Sequence, residues 1–496
     1  MNKRTIELDG HNLTIHDLLA VTRDHVVVRL SDEAKVRIDQ ASEIIQDIIN
    51  QKRRVYGVTT GFGYLQNTAI SPRDTEKLQY NLVVSHAAGV GPEFPHEVIR
   101  GMMLLQANEF ARGHSGIRLK VVSLLIDLLN ENVIPSIPSQ GSLGASGDLA
   151  PLAHLALVLI GKGYAYYKNT KMTGLEALEK SDLSPVKLIA KEGIALLNGT
   201  QAMTSIAAIA VSDAEYLVKI ANLATSMSME VHRANIDSLN PLIHRARPHE
   251  GQMKVAQLIL ELLNGSQRTR QNVPFQDSYS LRCSPVVHGA TLDTIEYVKN
   301  VVQTEMNSST DNPLIFASDK ILSGGNFHGQ PIALAMDFLG IAIAELGSIS
   351  ERRIERLLNP TLSGLPAFLA SDSGINSGFM IAQYIAASLV SENKQLAFPA
   401  SIDSIPVSAN QEDHVSMGTI AAIQTRKIIE HLCHILAIEL LCVSQAIDLS
   451  EIRNQISPQT RGAHETIRKT IPKMITDREL APDIIQCVKL IQKRQL

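Results

Sequence analysis

The sequence predicts a mainly α fold, a long-helix bundle with a smaller mixed N-terminal region carrying short strands. Helical periodicity of apolar residues dominates from Ser31 onward. Several periodic blocks run well past the ~11–12 residues of an average helix. Strand signals, by contrast, are few and lie before Ser31.

In chain order, residues 5–8, 12–15 and 25–30 are short, β-branched and separated by Gly or Asp, the pattern of strands. Ser31-Asp32-Glu33-Ala34 then offers a helix cap with an acidic first turn. Val36, Ile38, Ile44, Ile45, Ile48 and Ile49 follow at roughly helical spacing. Further helices are expected over 74–88, 95–112, 117–130, 202–231, 251–263, 286–307, 330–358, 376–396, 415–448 and 462–475. From Val415 to Asp448 the one helix-weakening residue is Gly418, and most faces are apolar despite Arg426, Lys427, Glu430 and Glu439. A helix apolar nearly all round belongs in the middle of a bundle. A composition shift near residue 110 divides the expected N-terminal region, 1–110, from the helical bundle, 111–496, within one continuous unit.

With 496 residues and 45% hydrophobic content, the chain has material for a large core. A net charge of −4 with scattered Lys and Arg argues against nucleic acid or an anionic membrane as partner. Lys52-Arg53-Arg54 reads as a solvated helix end. The cysteines (Cys283, Cys433, Cys442, Cys487) lack CxxC spacing and fit reduced thiols. His431-x-x-His434 beside Cys433 lies in an apolar helical run and reads as packing, so no metal is expected. Residues 1–9 have no apolar stretch typical of a secretory signal. Uninterrupted apolar runs such as 155–160 fall short of the ~18 residues that span a bilayer. A cytoplasmic chain is the expectation.

Glycine-rich loops at 57–63, 141–147 and 323–329 interrupt the helices, and loops of this kind often carry function. The segment Gly144-Ala145-Ser146-Gly147-Asp148-Leu149 fits none of the familiar glycine-rich signatures. No Lys follows the glycines as a P-loop requires, and the spacing is wrong for a dinucleotide fold. Asp148 stands where a nucleophile elbow needs Gly. Read alone, it is a serine in a glycine-rich helix cap. Ala-Ser-Gly also allows a rarer chemistry. A tight turn can bring the Gly147 nitrogen onto the Ala145 carbonyl carbon. Ring closure and loss of water then leave an exocyclic methylidene from Ser146, and Gly147 offers no side chain to obstruct it.

Residues 145–154, Ala-Ser-Gly-Asp-Leu-Ala-Pro-Leu-Ala-His, closely resemble the signature of the histidine and aromatic amino acid ammonia-lyases. Tyr56-Gly57-Val58-x-Thr60-Gly61-Phe62-Gly63, Asn198-Gly199-Thr200-Gln201, Tyr279-Ser280-Leu281-Arg282-Cys283, Asp311-Asn312-Pro313, Gly324-Gly325-Asn326-Phe327-His328 and Asn410-Gln411-Glu412-Asp413-His414 match that family in order. The resemblance implies a 4-methylideneimidazol-5-one group (MIO) formed from Ala145, Ser146 and Gly147, with no external cofactor. Such an electrophile answers a need that nucleophilic side chains cannot meet.

By the same resemblance Tyr56 takes the β-proton of the substrate, and Tyr279 assists in forming the group or in the proton steps. Arg282 pairs with the substrate carboxylate, for which a planar guanidinium is suited. Asn198 and Gln276 contact the electrophile or the substrate, and Phe327 lines the cavity. Ser85-His86 occupies the position that selects the side chain, where phenylalanine lyases carry Phe-Leu. Glu412 is a residue of the histidine enzymes. An imidazole can donate to one of His86 and Glu412 and accept from the other. The resemblance therefore implies an amino acid substrate, L-histidine, eliminated to trans-urocanate. A tyrosine ammonia-lyase, some of which also carry Ser-His, or an aminomutase is the alternative. A non-catalytic helical scaffold would not need Tyr56, Ser146 and Arg282 together. The family further implies a homotetramer with active sites shared between chains.

Overall fold

The computed structural model describes residues 4–71 and 73–496, so the first three positions of the N-terminal reading lie outside it. Among the described residues it has nineteen α-helices and nine short strands, the mainly helical fold expected. They form two compact units. The first comprises Met1–Ile209, Lys299–Asp337 and Pro399–Ile423, and the second Ala210–Val298, Phe338–Phe398 and Gln424–Leu496.

In the first unit Thr5–Leu8 pairs in parallel with Val27–Leu30, Thr5 opposite Val27 and Leu8 opposite Leu30. Residues 12–15 do not form the expected strand. Parallel neighbours need a crossover between them, and here it is the helix Ile15–Arg23. Thr14 and Asp17 close a capping box at its start, so two local hydrogen-bonded caps outweigh the β-branched composition. Strands also occur between the expected helices, in segments to which no element was assigned. Val90–Glu93 pairs with Pro138–Gln140, Ile134–Pro135 joins the hairpin Tyr164–Tyr167/Thr170–Thr173, and Leu314–Ala317 pairs with Lys320–Leu322. Segments of two to four residues are too short for a period-2 pattern to register.

The helix His96–Ala111 is buried from Val98 to Ala111, polar residues included. Arg100 is satisfied by the carbonyls of Val21 and Leu129 and by Asn132 Oδ1. Polar side chains can occupy a core when each finds a partner. This helix puts Glu109 against the backbone of Thr310 and Asp311, next to Asn312.

The long helices Gln330–Leu358 and Gly418–Leu449 are long and apolar enough to cross a membrane, which short apolar runs had not suggested. Yet 61% and 83% of their most apolar windows are buried inside the protein, as core helices would be. Within the second unit Arg353 and Glu439 form a fully buried ion pair, with Nε–Oε1 at 2.6 Å and NH2–Oε2 at 3.0 Å. Ser350 and Ser228 donate to the same carboxylate. Removing one partner strands a buried charge, at a cost of about 3–5 kcal/mol. Glu439→Ala is therefore expected to lose that much stability in denaturant unfolding; a loss below about 1 kcal/mol would contradict the packing described.

Candidate active site

Asp148 follows the tripeptide directly and its side chain is completely buried. One oxygen accepts from Ser142 Oγ at 2.9 Å and from the Thr419 hydroxyl. The other accepts from the backbone of Ala202 (2.9 Å) and Met203 (3.0 Å). Burial pushes its carboxyl above the usual carboxylate range, and the four donors pull against that rise. Asp148 thus ties together the starts of three helices, Leu149–Leu159, Gln201–Val231 and Gly418–Leu449. The positive ends of their dipoles gather around residues 145–147.

The loop is gripped on both sides of the tripeptide. Asp148 N donates to Gly199 O at 2.7 Å, and Gly199 N lies 3.5 Å from Ser146 O. Ser416 Oγ donates to Gly144 O at 3.2 Å, and Met417 N to Leu143 O at 2.9 Å. Gly147 has φ +81°, and a Cβ there would stand 2.0 Å from Gly199 O. Only glycine fits both the angle and the approach. Among the described residues, the Ala145 carbonyl accepts no hydrogen bond and the Gly147 N–H donates none. The two groups that ring closure must join are thus uncommitted, as are the Ala145 and Ser146 N–H groups and the Gly147 carbonyl among the described residues.

These residues border a cavity of about 290 Å³ in the first unit. Ala145 and Ser146 form one wall, Asn198 and Asn312 another, and Tyr56, Gly63 and Gln66 a third. Ser323, Gly324, Phe327 and His328, with residues 411–414, complete the lining. Gly63 N donates to the Tyr56 hydroxyl oxygen at 3.1 Å, which folds the tyrosine loop back on itself. Asn198 Nδ2 donates to Asn312 O at 3.0 Å. Ser146 Oγ donates to Glu412 Oε1 at 3.4 Å. Burial raises the Glu412 carboxyl above its ordinary value, and the Ser146 hydroxyl works against the rise.

Of the residues singled out in the sequence, Tyr56, Ala145, Ser146, Asn198, Phe327 and Glu412 line this cavity, with Gly147 directly beside Ser146. His86 does not line it. It ends the helix Thr75–His86 with Nδ1 3.1 Å from Ser85 Oγ, and burial lowers its basicity. Gln276, Tyr279 and Arg282 belong to the second unit. There Tyr279 is 71% exposed, and the Arg282 guanidinium lies over its ring at 4.8 Å, with Nε buried and unpartnered. The cavity also includes Gln66, Asn312, His328, Gln411, Asp413 and His414, which the sequence reading had not assigned roles. All but Gln66 sit inside motifs that were visible in the sequence; Gln66 carried no signal.

A model of the family described as "Aromatic amino acid lyase" matches residues 13–469. The chain belongs to the aromatic amino acid lyase family. It is 51% identical over 491 residues to a histidine ammonia-lyase of Alkaliphilus metalliredigens, covering 98% of this chain and 97% of that one. A crystal structure of histidine ammonia-lyase from Trypanosoma cruzi superposes with a TM-score of 0.93 at 44% identity, over 99% of this chain and 94% of that one. The tyrosine aminomutase of Streptomyces globisporus superposes with a TM-score of 0.96 at 37% identity, over 99% and 97%. Likeness of fold this uniform does not choose between reactions. Gly147→Ala is expected to force the loop off Gly199 and cost about 1–3 kcal/mol in denaturant unfolding; an unchanged midpoint would show that no such close approach exists.

Proposed function

We propose that this chain is a cytoplasmic enzyme that eliminates ammonia from L-histidine to give trans-urocanate, the first step of histidine degradation. The observation that carries the reading is Glu412, a carboxylate that lines the cavity within reach of Ser146. The names of the relatives at about half identity support it. Tyrosine elimination or an aminomutase reaction is not favoured, because the relatives at about half identity are named for the histidine reaction.

Ala145, Ser146 and Gly147 fit the MIO group: the reacting carbonyl and N–H are uncommitted while Gly144 O and Asp148 N on either side of them are held. When formed, that group supplies the electrophile that makes the substrate amine a better leaving group. No external cofactor is required. The chain's own residues do the rest. The β C–H and α C–N bonds break, a C=C bond forms, and the proton passes to the Tyr56 oxygen. Gly63 N–H points at that oxygen and steadies the negative charge it must carry in order to accept the proton. Asn198 and Gln276 steady the polar groups of the reacting centre, and Arg282 holds the carboxylate through paired N–H donors. Phe327 packs against the ring and Glu412 recognises it, while His86 stands outside this cavity. Tyr279 assists the proton steps. Its exposure and the unpartnered Arg282 Nε suit side chains completed by substrate or by another subunit, in keeping with a homotetramer that shares its active sites.

The intact chain is expected to weigh two waters less than its sequence. Ser146→Ala is expected to show the full mass, the same helical circular dichroism and no turnover; an unmodified parent chain would refute the maturation. Glu412→Gln is expected to lower histidine turnover about 10- to 100-fold, the loss of a charged hydrogen bond. Because burial raises the Glu412 carboxyl, its proton is taken up at a higher pH than for an ordinary carboxylate. Activity that needs the ionised form therefore falls as pH drops through that raised value, and Glu412→Gln should flatten this acid limb. An acid limb unchanged in the variant would remove Glu412 from the imidazole site.

A further inference from the structure

Phe327 lies in the loop 323–329 and Glu412 in the loop 407–414, and both line the cavity. Among the described residues, the hydrogen-bonded link between these two loops is a pair of histidines. His328 Nε2 lies 3.3 Å from the His414 carbonyl oxygen and 3.4 Å from His414 Nδ1. The rings stack at 5.5 Å between centroids with 24° between planes. A carbonyl oxygen only accepts, so the geometry gives His328 an N–H at Nε2. The same N–H faces His414 Nδ1, which then accepts and leaves its own proton on Nε2.

The Glu412 loop needs such an anchor. Its internal bonds are few: Val407 N to Glu412 O at 3.0 Å, Glu412 N to Val407 O at 3.3 Å, and Gln411 N to Ser408 O at 3.0 Å. Between them Ser408, Ala409 and Asn410 all have positive φ, at 54°, 52° and 62°. Three successive left-handed residues, none of them glycine, hold only where surrounding contacts over-determine them. The Phe327 loop is better fixed, by His328 N to Gly325 O at 2.9 Å and by the helix that starts at Gln330.

We propose that His328 is a positioning residue, whose Nε2–H donated to His414 sets the separation of Phe327 and Glu412 and with it the fit of the substrate ring. The inference rests on the reading of this cavity as the histidine site. It asks of His328 no contact with the reacting atoms. Its effect therefore belongs in substrate binding more than in turnover.

Two measurements on His328→Ala and His328→Gln test it. Hydrogen–deuterium exchange on the unliganded chain is expected to quicken at Val407 and Glu412 in the alanine variant. In steady-state kinetics KM for histidine is expected to rise about five- to tenfold, the loss of one ordinary hydrogen bond, with kcat changing by a smaller factor. His328→Gln has an amide N–H to offer the same carbonyl and is expected to restore most of both. Parental exchange and KM in His328→Ala, or a glutamine variant as impaired as the alanine one, would overturn the proposal. Exchange is read without substrate, so it judges the link even where the parent chain fails to turn over histidine, a failure that would count against the function instead.

Discussion

Asp148 accepts four hydrogen bonds in a position from which water is excluded, and the donors come from the starts of two helices and from the loop that opens a third. A buried carboxylate is costly unless every lone pair finds a donor. Here the cost is offset by anchoring: the carboxylate fixes the residue after the tripeptide, and Gly199 then grips the backbone on both sides of Gly147. Positions 145–147 are left with a defined path and little freedom, although they belong to no helix or strand.

The electrostatics follow from the same arrangement. Three helix N-termini meet at one place and make it favourable for negative charge. Asp148 satisfies part of that potential from behind, and Glu412 approaches it from the cavity side, 3.4 Å from Ser146 Oγ. The wall bearing Asn198 and Asn312 rests on a second buried set. Lys191 and Asp311 pair at 2.6 Å with neither exposed. Glu109 accepts from the backbone of Asp311 at 2.7 Å, and burial, with the Asp311 charge adding to it, pushes the Glu109 carboxyl up to about 8. A site that must hold both an electrophile and a polar ring gains from such a scaffold, since each buried polar group fixes the geometry of the next.

The long helices were legible in the sequence because their apolar spacing repeats over many turns, as in 202–231 and 330–358. The first two strands, Thr5–Leu8 and Val27–Leu30, were legible from their β-branched residues, but the later ones were not, since two to four residues carry no clear period. The helix Ile15–Arg23 was hidden by its β-branched entry, and its cue lay in the Thr14 and Asp17 cap. The tripeptide was conspicuous as a motif, but nothing in its own residues explains its shape. Its determinants come from far along the chain: Thr419 reaches Asp148, and Glu412 reaches Ser146 across 266 positions. The linking role of His328 was equally invisible, because its partner is 86 positions away.

The choice of substrate rests on fewer atoms than the chemistry does. The fold is shared with enzymes that act on different aromatic amino acids, so selection falls to the side chains around the ring, Glu412 foremost. The most direct measurement offers histidine, tyrosine and phenylalanine separately to the purified chain and follows the ultraviolet absorbance of urocanate, coumarate and cinnamate. Urocanate from histidine, with the other two amino acids turned over at least 100-fold less efficiently, is the predicted result, on the scale of one unpaired buried polar group. Coumarate or cinnamate formed as fast as urocanate would contradict it.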